Sequence, residues 1–308
     1  MIGLLEDPIF EQHDTGTHPE KSARLRAIRA GLEELKDFTP VRIAPTPATL
    51  DDIALVHDRG YIEQTRTLVE QGTSFLDADT QVCRRSYEVA LQAVGGSLKG
   101  LDAIMEDQYK RAFFAVRPPG HHAEADRSMG FCLFNNVAIG AEHLRQRHGL
   151  DRVAIYDFDV HHGNGTMHSF YDRGDVFYGS VHQWPFYPGT GRDSETGRGA
   201  GQGTTLNLPQ PSGAGDAEWD EATRRFADAM DKFKPQALLI SAGFDAHWSD
   251  PLAGIQMTEQ GFCTVVETLM ETARTHCDGR LAMFLEGGYN LHALRNTVSA
   301  VVKTLLSG

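Results

Sequence analysis

Residues 152–164 read RVAIYDFDVHHGN. The opening RVAIY is a run of branched and aromatic residues without polar alternation, the pattern of a strand buried on both faces of a parallel sheet. Directly after it, two aspartates and two histidines follow with almost no polar padding. Ionisable groups beside such a strand are costly unless paired, hydrogen-bonded or bound to a metal. In an extended chain residues i, i+2 and i+4 share a face, so Asp157, Asp159 and His161 project together. Two carboxylate oxygens and an imidazole nitrogen suit a divalent cation. Asp159 and His161 are the better ligand pair. Asp157, one step deeper, suits orienting a histidine or helping to hold another cation.

Outward from this stretch, RAFFAV, VFYGSVH, QALLISAGF and LAMFLEGGY have the same apolar character. Residues 137–148, 216–233, 258–275 and 291–306 carry apolar residues at helical spacing between and after them, which predicts a parallel sheet with crossover helices. Further helices are predicted near 20–36, 58–71 and 86–106, with a short strand inside FTPVRIAPTPATL at 38–50. The Gly-rich segment 188–205 reads as a long surface loop between strands. No domain boundary is evident, and 308 residues suffice for one sizeable core. The expectation is an α/β chain: one αβα sandwich with a mainly parallel, multi-stranded sheet, spanning residues 1–308 as a single domain.

The polar clusters RPPGHH, DFDVHH, SVH, SAGFD and EGGY each fall at the C-terminal end of a predicted strand. Loops leaving that edge of an α/β sheet converge on a ligand crevice. Asp245, shortly after QALLI, would reach the same edge and complete an Asp–His–Asp set with a position open for water; His247 and Asp250 on that loop are alternatives. An aspartate in such a place also caps helices. His121 and His122 follow two prolines and a glycine, a rigid loop suited to proton transfer. Asp157 behind one ring and Asn164 behind the other would give the pair different basicities. Tyr289 follows two glycines and could turn its hydroxyl toward an oxyanion. Phe131 and the WPFYPG stretch offer aromatic walls.

Composition bounds the rest. Hydrophobic residues at 41% and charged residues at 23% are ordinary for a globular chain. The net charge of −13 argues against nonspecific attraction to nucleic acid or anionic lipid. Four cysteines without C-x-x-C pairing suggest neither a disulfide framework nor a zinc knot. The start MIGLLEDPIF is a poor secretory signal, and no stretch supplies the roughly 20 apolar residues of a membrane helix. The expected setting is a reducing cytoplasm, with neither nucleic acid nor membrane as partner. A homo-oligomer is compatible with the sequence but not dictated by it.

RPPGHH, GFCLFNN, DFDVHHGNGT, PGTG, SAGFDAHWSDPLAG and LEGGYN occur in this order, and together they resemble the zinc-dependent histone deacetylase superfamily, including acetylpolyamine amidohydrolases and acetoin-utilisation proteins. The resemblance runs from HPEKSARL at 18–25 to the C-terminus. It implies the arginase/deacetylase fold and one zinc ion on Asp159, His161 and Asp245, although oxygen and nitrogen ligands also accept Fe(II) or Co(II). It implies His122 as general base and then acid, His121 as its electrostatic partner, and Tyr289 as oxyanion donor. Asp157 and Asn164 match the groups behind the two histidines; Asn164 occupies a position where one large branch carries Asp, and so looks like the class II and polyamine-enzyme side. Backbone atoms of Asp157, Asp159 and His161, with Ser180 and Val181, match a potassium site. Gly130, Phe131 and Tyr187 match channel positions. Leu252 falls at a rim position that is acidic in a polyamine-selective branch, and Asp77 and Asp79 match a rim loop. The implied activity is removal of acetyl or another small acyl group from a linear amine such as acetyl-lysine or an acetylpolyamine. The competing readings are an arginase-type binuclear ureohydrolase, which needs a second metal, and a metabolite-binding pseudoenzyme.

Overall fold

The computed structural model describes residues 1–36 and 38–307. Among the described residues eight strands form one sheet: β1 Gly3–Leu5, β2 Val41–Arg42, β3 Arg111–Phe114, β4 Val153–Asp157, β5 Val176–Gln183, β6 Thr205–Gln210, β7 Ala237–Ala242 and β8 Leu281–Leu285. Their order is β2-β1-β3-β8-β7-β4-β5-β6, and every pairing is parallel. All residues of β4, β7 and β8 are buried, which is why these strands read as continuous apolar runs.

The helices are α1 Ala23–Glu33, α2 Leu50–Ile53, α3 Arg59–Glu70, α4 Ser86–Met105, α5 Asn136–His148, α6 Asn164–Phe170, α7 Asp216–Phe233, α8 Glu259–His276 and α9 Leu291–Ser307. One layer runs α7–α8–α9–α1 by successive packing, and α4 with α5 packs on the other side. Local chemistry marks the ends. The Asn135 side chain accepts from Ala138 N–H at the start of α5, Gly149 closes that helix in the left-handed region, and Thr258 accepts from Gly261 N–H at the start of α8. Trp219 and Phe226 of α7 and Phe262 of α8 are fully buried. At about 1.5–3 kcal/mol per buried large apolar side chain, such residues fasten the helices to the sheet.

The seven long predicted helices agree with the structure to within three residues at each end, and the five predicted strands and the short strand at Val41–Arg42 are present. Four of these elements were not anticipated: β1, β6, α2 and α6. The Gly-rich segment is a surface loop as expected, but its last residue already belongs to β6, which pairs along β5.

Chain order reverses at β4. From there it runs outward through β5 and β6, then returns to β7 on the other side of β4 and proceeds to β8. Such a switch point opens a crevice at the carboxyl ends of the strands. Register places Asp157 beside Ser241 and Ala242 beside Leu285, so the loops after β4, β7 and β8 start level with one another.

Candidate active site

The loops after β4 and β7 bring Asp159, His161 and Asp245 together, with one potential ligand atom from each within 4.8 Å of the others. Each carboxylate is held from behind. Asp159 accepts from His161 N–H at 2.9 Å through Oδ1 and from Gly287 N–H at 2.8 Å through Oδ2, while Asp245 Oδ1 accepts from Val160 N–H at 3.0 Å. Asp245 Oδ2 is buried without a hydrogen bond, although His161 Nδ1 lies 3.2 Å away. An orphaned carboxylate oxygen is costly in a dry site, and a divalent cation would satisfy it. The donor set of two carboxylates and an imidazole fits such an ion. Gly287 is needed here because a Cβ would collide with Asp245 and Asp159.

The tandem histidines stand beside this set, their ring centroids 3.9 Å apart. His121 Nδ1 lies 3.1 Å from Asp157 Oδ2, and His122 Nδ1 lies 2.8 Å from Asn164 Oδ1. Burial disfavours charge on both rings, but the carboxylates of Asp157, Asp159 and Glu286 outweigh it at His121 and push its pKa to about 10. At His122 burial acts together with the charge on His121, and holds that ring well below the usual range. The surroundings thus favour charge on the first histidine and neutrality on the second.

A pocket of about 420 Å³, including its open mouth, leads to these groups. Its wall comprises His122, Gly130, Phe131, His161, Tyr187 and Tyr289, with Asp79 and Leu252. Phe131 meets Tyr289 edge to face at 6.0 Å, and Tyr187 meets His122 edge to face at 5.2 Å. Gly130 has φ +56°, and a Cβ there would collide with the His122 ring, so the wall can approach the base only because this residue lacks a side chain. Asp77, expected in the channel, is not on its wall. Its carboxylate turns back into its own loop and accepts from Ser128 Oγ and from the N–H groups of Asp79 and Thr80. Asp79 faces the pocket in its place and accepts from Gly130 N–H at 3.2 Å. Ser180 and Val181 lie on β5, with Ser180 directly beside Asp157.

His247 and Asp250 stand apart from the Asp–His–Asp set. His247 Nδ1 contacts Ser249 Oγ, and Asp250 accepts from the N–H groups of Tyr289 and Asn290. Asp250 thus anchors the backbone of the tyrosine, a role that a linear distance of 39 residues hides.

The histone deacetylase domain family model matches residues 18–305. The chain belongs to the histone deacetylase family. It is 40% identical to histone deacetylase 10, chloroplastic, of Oryza sativa, over 96% of this chain and 71% of that one. It is 36% identical to a probable deacetylase of Archaeoglobus fulgidus, over 94% and 82%, and 37% identical to a histone deacetylase-like amidohydrolase of Pseudomonas aeruginosa, over 94% and 75%. The crystal structure of the HDA15 HD domain superposes with TM-score 0.92 at 33% identity, covering 99% of this chain and 90% of that one. Membership supports a deacetylase or amidohydrolase activity.

Around this histone deacetylase-family site lie groups that sequence reasoning missed. Glu286, at the end of β8, accepts from Gly120 N–H at 2.7 Å and His121 N–H at 3.2 Å, so it holds the backbone of the tandem pair. Burial raises its carboxyl to about 7. Glu20 bridges Arg24 and Arg117, all three fully buried, and Arg24 lies 5.2 Å over the Tyr289 ring. Glu124 stands behind Asn164. Far from the pocket, His143 and His148 both contact Asp102 Oδ1, at 2.7 and 2.6 Å. Among the described residues no helix is long and apolar enough to cross a membrane.

Proposed function

We propose that the protein hydrolyses the amide joining a short acyl group, acetyl first, to a linear primary amine. The observation that carries this reading is a buried Asp–His–Asp set beside two histidines, one backed by a carboxylate and one by an amide, at an aromatic-walled pocket. Asp159, His161 and Asp245 would hold one divalent cation, zinc by the resemblance and Fe(II) or Co(II) by ligand chemistry. Such an ion, when bound, supplies a Lewis acid and lowers the pKa of water from about 16 to about 7.

The chain's own residues do the rest. Phe131 and Tyr187 align an extended alkyl chain, and Asp79 beside apolar Leu252 gives the mouth one acidic group for a cationic amine or a peptide N–H. His122 accepts a proton from the attacking water and later delivers it to the leaving nitrogen. His121, kept protonated by Asp157, offsets the negative charge that develops nearby. Tyr289 donates its hydroxyl to the tetrahedral oxyanion, and acetate and free amine leave. A potassium ion on backbone atoms of Asp157, Asp159 and His161 with Ser180 and Val181 belongs to the same proposal, supported by the β4–β5 register. So do a single catalytic domain over residues 1–308, supported by the continuous sheet, and a reducing setting such as the cytoplasm, supported by four unpaired cysteines.

The test is acetate release by metal-reconstituted protein from an acetyl-lysine peptide and an acetylated diamine, side by side. Turnover of at least one is expected, with Tyr289→Phe on the order of 100-fold slower in kcat. The ratio of the two rates ranks the substrate classes. Absence of turnover on both would overturn the acetyl-amine reading and favour a binding protein.

A further inference from the structure

An amide presents two faces of opposite sign, so the orientation of Asn164 carries chemical information. Its Oδ1 lies 2.8 Å from His122 Nδ1. Every neighbour of its Nδ2 is an acceptor: Glu124 Oε1 at 2.5 Å, the His122 carbonyl oxygen at 3.3 Å and Met129 Sδ at 3.4 Å. Turning the amide over would press its carbonyl against a carboxylate and a second carbonyl, so the donor and acceptor inventory fixes it one way. That orientation then fixes His122. An amide oxygen only accepts, so Nδ1 must carry the ring proton, and the lone pair is left on Nε2, the nitrogen that Asn164 does not engage.

Glu124 is equipped to hold this arrangement. It is 6% exposed, and its two oxygens lie 2.8 and 3.0 Å from His168 Nδ1. Its carbonyl oxygen accepts from His57 Nδ1 at 2.8 Å, while His57 Nε2 accepts from Asn135 N–H at 2.8 Å. Burial opposes ionisation of Glu124, but hydrogen bonds from His168 and Asn164 and the charges of His168 and Arg127 hold its carboxyl below the usual range. The outer end of the chain, His168, is half exposed and borders a surface depression with Ser169 and Arg173, distinct from the substrate pocket.

We propose that Glu124, braced by His168, is a positioning residue for the reaction: it locks the Asn164 amide and thereby keeps His122 in the Nδ1–H tautomer, with Nε2 free to take a proton. This rests on the reading of His122 as general base. It also explains why residue 164 is an asparagine, since an aspartate there would set two carboxylates against each other at the 2.5 Å contact.

The test is a double-mutant cycle with Glu124→Gln and Asn164→Asp. Glutamine has the shape of glutamate but can donate, so both amide orientations at 164 become available; the Asn164→Asp variant has two facing carboxylates. Each single change should lower kcat on the order of 10-fold or more, with KM within about two-fold, as for a disturbed general base. The double variant restores the donor and acceptor match along His122, residue 164 and residue 124, because the carboxylate at 164 accepts from both His122 and the glutamine amide; only the longer contacts with the His122 carbonyl oxygen, 3.3 Å, and Met129 Sδ, 3.4 Å, lose their donor. Recovery to within about three-fold of wild type is expected, whereas losses that simply multiply would overturn the proposal. If Glu124→Gln alone does not fold, the double variant is compared with Asn164→Asp alone, and absence of recovery overturns it. A readout independent of turnover is the ¹⁵N spectrum of histidine-labelled protein. Wild type should show His122 protonated at Nδ1 only, and Glu124→Gln a mixture of tautomers. An unchanged His122 signal in that variant would overturn the proposal even if neither acetylated substrate is turned over.

Discussion

His121 and His122 differ in charge because different groups stand behind them. A carboxylate contacts the first ring and an amide the second, and once the first is charged it suppresses protonation of the second. Asp245 shows the same dependence on neighbours. Its Oδ1 is occupied by Val160 N–H, and its buried Oδ2 is left for a cation. Asp245→Asn keeps the shape and the Val160 hydrogen bond but removes the charge. Metal-free wild type should therefore take up one equivalent of zinc per chain in a calorimetric titration, and Asp245→Asn should bind more than about 100-fold more weakly, since even outer partners of a ligand are worth 10–100-fold. Two equivalents in wild type would move the reading toward a binuclear ureohydrolase. The ligands were legible because alternation in an extended chain puts them on one face. Glu124 and Asp250 were not, because their partners Asn164 and Tyr289 lie about 40 residues away and ordinary acidic residues carry no periodic signal.

The segment leading into α1 is tied down by buried charge. Glu20 takes Arg117 and Arg24, and Arg24 also donates to the carbonyl oxygens of Gly288 and Glu286. This clasp joins the start of α1 to the loops after β3 and β8, which carry the tandem histidines and Tyr289. Burial would raise the Glu20 carboxyl, but Arg117 and His13 hold it well below the usual value of 4.5. A depressed folded pKa means that the stability is present above pH 4.5 and is lost as pH falls toward the folded value. Glu20→Gln leaves two buried guanidinium groups short of a partner and should cost about 3–5 kcal/mol at pH 7 in urea unfolding. A loss under 1 kcal/mol would show that the clasp is dispensable. Helices here were readable from apolar spacing with charged flanks. By contrast, β1 has three residues, α6 has seven directly after the histidine cluster, and β6 emerges from a glycine-rich loop with alternating Leu206 and Leu208. β1 and α6 are too short for their periods to repeat, and β6 is hidden by the glycine-rich loop that it continues.

The chain folds around several neutral histidines, and this sets its response to acid. Burial lowers His57 and His182 to about 4 from the ordinary 6.5, and lowers His13 as well. Between those values the unfolded chain binds protons that the folded chain refuses, so stability rises with pH across the window and falls on acidification. A shift from 6.5 to about 4 corresponds to about 3 kcal/mol per histidine once pH is below both values. General charge repulsion would act in the opposite sense, because the excess of acidic groups behind the net charge of −13 is neutralised as pH drops. His57 is the residue to test, since it lies outside the metal-ligand set and bonds only backbone groups, Glu124 O and Asn135 N–H. His57→Gln can keep one donor and one acceptor but cannot titrate. The stability gap between wild type and this variant should narrow by about 3 kcal/mol as urea unfolding is repeated from pH 7.5 down to pH 4. A gap that stays constant would mean that His57 titrates alike in both states, and the acid sensitivity would then have to come from His182, His13 or the carboxylate clasp at Glu20.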